Sequence, residues 1–397
     1  MSNTLEVPVP ALAQPATWPG GVGPVAIYVH TPFCPSKCGY CDFNSFAMDG
    51  EIVGRTVDAI EQEIRRSPWR GRPAKTIFFG GGTPTFLTAD HLSRLLHAVI
   101  ETHPPIANAE ITSEANPGTV DYGKFAAMRA AGFNRLSLGA QSFLPEDLLR
   151  LGRVHRGGEV GRAVTAARRA GFTRLNLDLM FGLPGQRLAG WDANLDLALT
   201  LRPDHLSLYG LTIESNTRFD RLSRRGMLNL PDEDVQVAMY NRAVERMTAA
   251  GLELYEISNF ARPGQECAHN LAYWRGEEYL GYGPGAVGCV SDPAAGVRRR
   301  ATNMKHPERY SVAVEAGEIT GQALACERET VDADTWRTER LMLGIRLREG
   351  ISLADLIVDA AARSKCVQRG WIEDDPERLR LTPAGRHVAS TVIAELM

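Results

Sequence analysis

The sequence predicts an α/β protein: a partial (β/α)6 barrel similar to a TIM barrel, followed by a C-terminal α+β extension that resembles a winged helix. Between residues 25 and about 210, six short runs rich in β-branched and apolar residues alternate with helical patterns. From about residue 330 the alternation ends, and two helical segments precede a hairpin-like pair of short runs. A chain of 397 residues is long enough for two or three domains.

The barrel prediction rests on six strand–helix units in succession. The predicted strands cover residues 25–30, 75–79, 109–114, 135–139, 174–180 and 204–209. The predicted helices between them cover 51–66, 88–102, 121–131, 157–170 and 189–201. This order indicates parallel strands joined by right-handed crossovers. Six units fall short of the eight that close a TIM barrel, so we expect a side opening that admits a large substrate.

The predicted organisation has four parts. In chain order they are a disordered tail rich in Pro, Ala and Gly at 1–24, the barrel at 25–260, a linking segment at 261–330 and the winged-helix-like domain at 331–397. The barrel domain is expected to end with a helix over 232–250 and a strand near 252–258. The last domain is expected to contain helices over 335–346 and 353–363 and a hairpin formed by 370–372 and 378–383.

Composition and charge exclude several classes of function. The chain has 44% hydrophobic and 23% charged residues and a net charge of −3, as an ordinary globular protein does. The segment 331–397 holds ten Lys and Arg against eleven Asp and Glu, which argues against a nucleic-acid partner and favours a packing or lid role. No apolar run approaches the ~20 residues that a transmembrane helix needs.

The N-terminal sequence predicts a cytoplasmic protein. The first basic residue is Lys37, whereas a secretory signal needs a positively charged start and a transit peptide is rich in arginine. The chain has seven cysteines and no export signal, which fits a reducing compartment.

Three cysteines with the spacing C-x3-C-x2-C follow the first predicted strand. Cys34, Cys38 and Cys41 lie on one short loop, and the next cysteine is Cys267. Three thiolates can hold three corners of a [4Fe–4S] cube, which usually takes four cysteines. The fourth iron would then be open to a small molecule.

Other interpretations of the three cysteines are weaker. A disulfide is disfavoured because the number is odd and the chain lacks secretory context. Structural zinc usually takes four ligands in two separated pairs. Buried structural cysteines are disfavoured because Pro32, Pro35 and Gly39 make the stretch a loop.

The other candidate residues lie where predicted strands end. Gly80–Gly82 end the second strand, Glu114 ends the third, Gln141 follows the fourth and Asp178 lies near the end of the fifth. In parallel α/β folds the carboxyl ends of the strands carry the chemistry. The three glycines let the backbone approach a ligand closely, although a tight turn has the same composition. A phosphate loop is disfavoured because the Lys-Ser/Thr ending of a Walker motif is absent.

Taken together, these motifs resemble those of the radical S-adenosylmethionine (SAM) superfamily, and within it the anaerobic coproporphyrinogen III oxidase family. The resemblance runs from about residue 24 to the C-terminus. Its motifs are Tyr28-x-His-x-Pro-Phe-Cys34, Gly-Gly-Gly-Thr-Pro at 80–84, Ser113-Glu-Ala-Asn-Pro-Gly118, Gly139-Ala-Gln-Ser-Phe143 and Asn176-x-Asp-Leu-Met-x-Gly-Leu-Pro-Gly-Gln186. The resemblance implies that the open iron binds SAM, and that an electron from the cluster cleaves the sulfonium to give a 5′-deoxyadenosyl radical.

The resemblance also implies contacts to the cofactors. Tyr28 and Tyr40 would line the cluster and SAM, and Gly82 and Thr83 would touch its methionine part. The residues implied for its carboxylate, ribose or amine are Glu114, Gln141, Arg153 and Asp178. Taken alone, Arg153 is more typical of a solvated helix residue and Asp178 of a loop cap than of a cofactor contact.

Two features resemble the heme-chaperone branch, HemW, of that family. The oxidases typically place a further cysteine two residues after the third cluster cysteine, where this chain has Phe43. The branch also carries a His-Asn-x-x-Tyr-Trp motif, which corresponds here to His269, Asn270, Tyr273 and Trp274. An imidazole beside aromatic rings suits a heme site, but it also suits a buried, hydrogen-bonded histidine. Cys267 is an alternative heme ligand.

One departure favours the oxidases. Heme-chaperone relatives often carry a histidine after the Gly-Tyr-Gly-Pro-Gly-Ala run, where this chain has Val287. The resemblance therefore implies a protein that binds heme, a [4Fe–4S] cluster and SAM and passes heme to acceptor hemoproteins, with an electron donor that the sequence does not identify. The alternative is an oxygen-independent coproporphyrinogen III oxidase.

Overall fold

Six parallel strands form the centre of a twelve-stranded mixed sheet in the computed structural model, which describes residues 23–153, 156–317 and 325–397. The strands of this sheet are β1 (Val25–Thr31), β2 (Ala74–Gly81), β3 (Pro105–Ala115), β4 (Arg135–Gln141), β5 (Arg174–Phe181), β6 (His205–Gly210), β7 (Glu253–Leu254), β8 (Asn259–Ala261), β9 (Tyr279–Tyr282), β10 (Val287–Asp292), β11 (Val297–Asn303) and β12 (Ala325–Val331). Two short strands, β13 (Ile351–Ser352) and β14 (Arg378–Leu379), form a separate sheet.

Helices follow most of the central strands. They are α1 (Glu51–Arg65), α2 (Ala89–Thr102), α3 (Tyr122–Ala131), α4 (Pro145–Leu151), α5 (Gly157–Arg169), α6 (Leu188–Thr200), α7 (Arg218–Arg224), α8 (Glu233–Ala249), α9 (Ala268–Trp274), α10 (Pro307–Glu315), α11 (Ala333–Gly344), α12 (Ala360–Gln368), α13 (Pro383–His387) and α14 (Ala389–Leu396). Short 3-10 turns cover Pro84–Phe86, Pro117–Thr119 and Leu353–Asp355. Within the described ranges, no helix has the length and apolar character that crossing a membrane requires.

The sheet confirms the predicted α/β class. Strands β1 to β6 pair in chain order, each parallel to the next, as the six predicted units require. The sheet continues in both directions beyond them. β9 pairs parallel to β1 and is followed by antiparallel β10, β11 and β12, while β8 and β7 continue antiparallel from β6. Because β7 and β12 lie at opposite edges, the sheet remains open.

Local sequence explains why these elements form. β1 is buried along nearly its whole length, as expected for a central parallel strand covered on both faces. α1 buries Val53, Val57, Ile60 and Ile64, which lie on one face at helical spacing. α2 begins at Thr88, whose hydroxyl accepts the His91 backbone N–H at 3.1 Å.

Some predicted elements differ from the observed ones. The helix predicted over 353–363 is divided into a 3-10 turn and α12, because Asp359 caps a new helix by accepting the Ala362 N–H at 2.8 Å. The strand predicted near 252–258 is reduced to β7, because the Glu256 carboxylate accepts the Ser258 N–H and turns the chain before β8 begins at Asn259. The predicted C-terminal hairpin is reduced to one antiparallel bridge, Ile372 to Leu381, because β14 pairs with β13 instead. The predicted tail falls outside the described residues.

Two large apolar clusters stabilise the described part of the chain, and a third, small one surrounds Leu183 and Phe219. The largest one fills the space between the central sheet and its helices and includes Phe79, Phe133 and Trp191, all fully buried. The second large one lies in the C-terminal region, where Ile345 and Val392 are fully buried. Burial of such apolar surface is the main force that holds each cluster together.

Candidate functional site: a cavity at the carboxyl edge of the sheet

The loop that carries the three cysteines is fastened at both ends to the sheet. Phe33 and Phe46 form a parallel bridge, with Cys34 N–H donating to the Phe46 carbonyl at 3.0 Å and Phe46 N–H to the Pro32 carbonyl at 2.7 Å. Asn44 ties the loop to the distant end of the sheet, because its amide donates to the carbonyls of Pro284 and Lys305, each at 2.9 Å. These contacts fix the height of the loop above β1.

The middle of the loop is held by two helices. Gly39 N–H donates to the Leu151 carbonyl at 3.2 Å, and the Gly39 carbonyl accepts the Phe219 N–H at 2.9 Å. A side chain at position 39 would lie 2.9 Å from the Phe219 ring, so the approach requires glycine. Lys37 closes the loop by donating to the carbonyls of Phe43 and Ser45, each at 3.2 Å.

The glycine run at the end of β2 lies directly against the loop. Gly82 N–H donates to the Thr31 carbonyl at 2.8 Å, and Thr83 N–H donates to the Phe33 carbonyl at 2.7 Å. A Cβ atom on Gly82 would lie 2.6 Å from the Phe33 carbonyl oxygen. Gly81 has φ +109°, a conformation that favours glycine, and a Cβ there would lie 2.5 Å from the His30 ring.

A cavity of about 380 Å³ opens between the cysteine loop and the carboxyl ends of the strands. It brings together ten of the eleven residues predicted for the cluster and SAM: Cys34, Cys38, Tyr40, Cys41, Gly82, Thr83, Glu114, Gln141, Arg153 and Asp178. The sequence analysis missed other residues of its wall, including Ser137, Met180, Tyr209 and Glu214. Strand alternation could have identified Ser137, which lies two residues before Gly139 on the same face of β4.

The three thiols differ in their surroundings. Cys34 Sγ accepts a hydrogen bond from the Thr83 hydroxyl at 3.4 Å, and Cys38 Sγ accepts one from the Arg153 guanidinium at 3.6 Å. Burial raises the pKa of the Cys34 and Cys41 thiols, so metal binding must displace their protons. Among the described residues, no group of Cys, His, Asp and Glu side chains is spaced to hold a single metal ion.

Arg153 is the cation of the cavity. One of its terminal nitrogens donates to the Gly139 carbonyl at 2.8 Å, and the other reaches Cys38. Its Nε is buried and has no hydrogen-bond partner among the described residues. Burial lowers the pKa of Arg153, but nearby Tyr40 and Cys38 outweigh that effect and raise it. The guanidinium is therefore charged and can accept an anionic partner.

Two half-buried carboxyl groups, Glu114 and Asp178, also line the cavity. Burial, followed by repulsion from Asp178, raises the pKa of Glu114 to about 8. Burial also raises the pKa of Asp178, although that carboxylate accepts hydrogen bonds from Asn176 at 2.8 Å and from Ser137 at 3.1 Å. A half-buried carboxyl pair of this kind favours a cationic or hydroxyl-bearing ligand, which would replace lost water contacts.

Gln141 and Tyr28 are placed differently from each other. Gln141 lines the cavity from an irregular end of β4, where its φ of +62° follows a break in the pairing of β4 with β5. Tyr28 lies on β1, outside the wall of the cavity. Its ring stacks against Phe78 at 6.2 Å, and its hydroxyl bonds to His30 Nδ1 at 3.1 Å. Tyr28 therefore lies beneath the glycine run instead of beside the loop.

The histidine of the His-Asn-x-x-Tyr-Trp motif is buried, with 2% of its surface exposed. Its Nδ1 bonds to the Thr76 hydroxyl at 2.8 Å and its Nε2 to the Tyr273 hydroxyl at 3.2 Å. The ring stacks on Phe78 at 5.0 Å, and burial lowers the pKa of His269 to about 3. Both ring nitrogens are thus engaged in this conformation, and a metal would have to displace Tyr273 to reach Nε2.

A buried glutamate on β3 holds α9 in place. The Glu110 carboxylate accepts the backbone N–H groups of Ala268 and His269, each at 3.2 Å, and pairs with Arg174 at 2.8 Å. It also accepts a hydrogen bond from the Cys267 thiol at 3.4 Å. Burial raises the pKa of Cys267 to about 12, which disfavours a thiolate there. The sequence analysis missed Glu110 because no local motif marks it.

The comparisons with known proteins agree on the family. The radical SAM superfamily matches residues 28–198, and the HemN C-terminal domain matches residues 331–388. The heme chaperone HemW of Mycobacterium tuberculosis is 38% identical over 380 residues, which cover 94% of this chain and 95% of that protein. The Escherichia coli heme chaperone HemW is 41% identical over 339 residues, covering 84% and 85%. This chain belongs to the HemW family.

The fold of this HemW-family chain is shared with a solved enzyme. The structure of Escherichia coli coproporphyrinogen III oxidase (HemN), a radical SAM enzyme, superposes with a TM-score of 0.79 at 25% identity, covering 94% of this chain and 90% of that one. The α/β radical SAM fold and the HemN-type C-terminal domain are therefore confirmed.

The cavity of this HemW-family chain suits the cofactors that its superfamily implies. Three thiols line the same cavity from one loop, while Arg153 offers an unpartnered buried N–H to an anion. The glycine run brings its backbone close to the cysteine loop, and Glu114 and Asp178 line the same cavity. Three cysteines together with Arg153 and these two carboxyls fit an anionic iron–sulfur cluster beside a ligand that carries both charges.

Proposed function

We propose that this chain is a cytoplasmic heme chaperone, which binds one [4Fe–4S] cluster, SAM and heme and passes heme to acceptor hemoproteins. The observation that carries the proposal is the cavity at the carboxyl edge, because one wall of it supplies the three thiols and the other supplies the partners of a zwitterionic ligand. The name of the relatives, heme chaperone, supports the cargo.

In this proposal the cysteine loop holds three irons of the cluster and leaves the fourth to SAM. The backbone carbonyls of the glycine run would accept hydrogen bonds from the methionine ammonium beside Gly82 and Thr83, and Arg153 would bind the carboxylate. Glu114, Gln141 and Asp178 bind the amine and ribose hydroxyls. When bound, the pair of cofactors supplies one-electron cleavage of the sulfonium, for which an unidentified electron donor is needed.

The heme part of the proposal assigns His269, Tyr273 and Trp274 to the cargo. Of these, Trp274 lines a solvent-accessible cavity in the structure, whereas His269 and Tyr273 bond to each other. Ligation through His269 Nε2 would therefore require the Tyr273 hydroxyl to be displaced. Heme could therefore bind beside Trp274 without ligation by His269, and the two are tested separately.

Anaerobic reconstitution with iron and sulfide tests the cluster. We expect broad iron–sulfur absorbance in wild type and its loss in Cys38→Ser. Cys366→Ser is the matched control, because Cys366 is a fully buried thiol of the C-terminal cluster, away from the cavity. A four-iron cluster that persists in Cys38→Ser, or a zinc ion as the native occupant, would overturn the assignment.

Hemin titration followed by its Soret band tests the cargo. Wild type should give a saturable spectral change, and His269→Ala should alter the band if His269 is the axial ligand. Identical spectra would remove His269 from the ligand set but leave the chaperone proposal intact. Transfer of hemin to an apo-hemoprotein is the decisive measurement, and its absence would contradict the proposal.

The runner-up is oxygen-independent oxidation of coproporphyrinogen III, because the shared fold with HemN and the apolar Val287 favour it. An anaerobic assay with reconstituted cluster, reductant, SAM and coproporphyrinogen III separates the two proposals. Formation of protoporphyrinogen at useful rates would replace the chaperone proposal with the enzyme.

A further inference from the structure

A second cavity, of about 570 Å³, lies between the end of β6, helix α9 and the C-terminal region. Its wall includes Tyr209, Glu256, Trp274, Arg346, Arg386 and His387. It therefore joins three segments that are far apart in sequence, and two of its cations come from the C-terminal domain.

The two arginines of this cavity form no close ion pair, although the charge of Glu256 acts on Arg346 from the same wall. Neither Arg346 nor Arg386 makes an ion pair or a side-chain hydrogen bond with any described residue. Their neighbours in sequence differ: Arg348 pairs with Glu253, and Arg380 pairs with Glu373 at 3.0 Å. Both unpaired side chains are half-buried, so solvent screens them less than it screens an exposed arginine.

The acidic residue of the wall is already committed elsewhere. The Glu256 carboxylate accepts the Ser258 N–H at 2.8 Å and the Asn270 amide at 3.1 Å, and it bonds to Asn259 as well. These bonds keep its oxygens on the β7–β8 turn. The cavity consequently presents a net positive surface to any ligand that enters it.

An aromatic surface lies beside the two cations. The Arg346 guanidinium carbon lies 5.9 Å from the centre of the Trp274 ring, and Tyr209 forms part of the wall nearer the sheet. Tyr209 also lines the cavity with the cysteine loop, so its ring lies between the two cavities. The second cavity thus places two unpaired cations next to flat aromatic rings.

We propose that the second cavity binds the carboxylate arms of a planar tetrapyrrole, with Arg346 and Arg386 as their partners and Trp274 against the ring. This inference rests on the proposed function, since it places the cargo of that function. Two carboxylates on one edge of a flat macrocycle match two unpaired guanidinium groups beside an aromatic surface. The tetrapyrrole ring would then lie on the side of the second cavity that Tyr209 forms, next to the cavity beside the cysteine loop.

The test uses the full-length chain and hemin as the probe. We expect Arg346→Gln with Arg386→Gln to raise the Kd for hemin about ten- to a hundredfold, because each charged hydrogen bond lost weakens binding strongly. Arg348→Gln is the matched control, since Arg348 lies two residues from Arg346 but pairs with Glu253 outside the cavity. The control should bind hemin as wild type does.

A second measurement compares two ligands that differ in charge. In detergent of the same concentration, wild type should bind protoporphyrin IX at least tenfold more tightly than its dimethyl ester, because the ester removes both negative charges. The double variant should lose this preference while its iron–sulfur absorbance after reconstitution stays that of wild type.

The possible results separate the two proposals. Wild type that binds hemin in a Soret titration, with an unchanged Kd in the double variant and equal binding of acid and ester, overturns this site and leaves the proposed function standing. Wild type that gives no saturable hemin binding overturns both. A tenfold or larger loss confined to the double variant supports the site.

Discussion

At the scale of single residues, the cavity beside the cysteine loop holds two carboxyl groups near each other, although like charges repel. These groups are Glu114 and Asp178, and burial raises the pKa of both. A neutral Glu114 can donate a hydrogen bond at pH 7, whereas an ionised one can accept two. The protonation state of this residue therefore determines which part of a ligand it can bind.

The pH dependence of stability follows from Glu114. Its pKa is about 8 in the folded state and near 4.5 when unfolded, so the folded protein holds a proton that the unfolded chain releases in between. The free energy of unfolding of cofactor-free protein should therefore fall as pH rises from 6 to 9, by on the order of 2 kcal/mol from this group. Urea unfolding at both pH values should show a smaller fall in Glu114→Gln, and equal slopes would contradict the prediction.

A glycine at the edge of the cavity provides a steric prediction. Gly82→Ala places a Cβ atom 2.6 Å from the Phe33 carbonyl, so the cysteine loop must shift. We expect a loss of about 1–3 kcal/mol in unfolding free energy and less cluster absorbance per chain after reconstitution. Gly54→Ala on α1, where a Cβ meets nothing within 4 Å, is the control and should be neutral or slightly stabilising. Normal cluster loading in Gly82→Ala would contradict the prediction.

Many residues that line the cavity beside the cysteine loop were predictable because each lies in a short sequence motif or at the end of a strand. The three cysteines share one loop, and Gly82, Glu114 and Asp178 each follow or end a strand, so topology alone brings them to one edge. Sequence reasoning did not anticipate the surroundings of His269, whose partner Thr76 lies 193 residues away on β2. Nor did it anticipate Arg346 in the second cavity, which depends on how the C-terminal region packs against the barrel.

At the scale of elements, α9 owes its position to one buried carboxylate. The helix has seven residues and no side-chain cap of its own, so Glu110 supplies acceptors for its first N–H groups. The same carboxylate lies near Arg135 and Arg174. Burial would raise the pKa of Glu110, but these two cations outweigh it and the pKa is lowered.

Removing that carboxylate should loosen the helix. Glu110→Gln leaves two buried or half-buried guanidinium groups without a counter-ion, and we expect about 3 kcal/mol of lost stability at pH 7. Hydrogen exchange in residues 267–274 should accelerate more than exchange in β4. Because the folded pKa of Glu110 is lowered, its contribution should be lost only as pH falls below the unfolded value.

An exposed glutamate provides the comparison for this variant. Glu315 pairs with Arg55 at 2.6 Å on the surface, so Glu315→Gln should leave the unfolding free energy almost unchanged. Equal effects of the two substitutions would contradict the role given to Glu110.

The element that sequence analysis described least well is the far side of the sheet. β9 has four residues, too few for a clear periodic signal, and it pairs with β1 more than 240 residues earlier. β10, β11 and β12 follow it as antiparallel neighbours and were not predicted. Their pairing depends on contacts between distant segments, which local patterns do not record.

At the scale of the whole molecule, the second cavity depends on a region with its own apolar cluster. The C-terminal cluster surrounds Ile345 and meets the rest of the chain near Ile257. The backbone of Arg348 reinforces this contact, because its amide N–H donates to the Tyr255 carbonyl at 2.9 Å. The first cavity, beside the cysteine loop, has no residue of the C-terminal region in its wall. The two cavities should therefore respond differently when the C-terminal cluster is weakened.

A single truncation tests this independence. Ile345→Ala removes a fully buried side chain, and we expect the C-terminal cluster to lose about 2–5 kcal/mol of stability. Hydrogen exchange should accelerate in α11 to α14 and not in β1 to β5. Hemin binding should weaken, whereas the iron–sulfur absorbance after reconstitution should persist. Met342→Ala on α11, a partly exposed site, should change little. If Ile345→Ala lost iron–sulfur absorbance and hemin binding to the same extent, the independence of the two cavities would be contradicted.

The side-chain amide of Asn44 has a consequence for how the protein is made. Ribosomes release the chain from its N-terminus, so the cysteine loop emerges long before Pro284 and Lys305, whose carbonyls accept the Asn44 amide. Until some three hundred residues have been translated, the loop lacks this attachment. Delivery of iron and sulfide is therefore expected to follow completion of the chain, and nascent polypeptides stalled before residue 305 should not acquire colour.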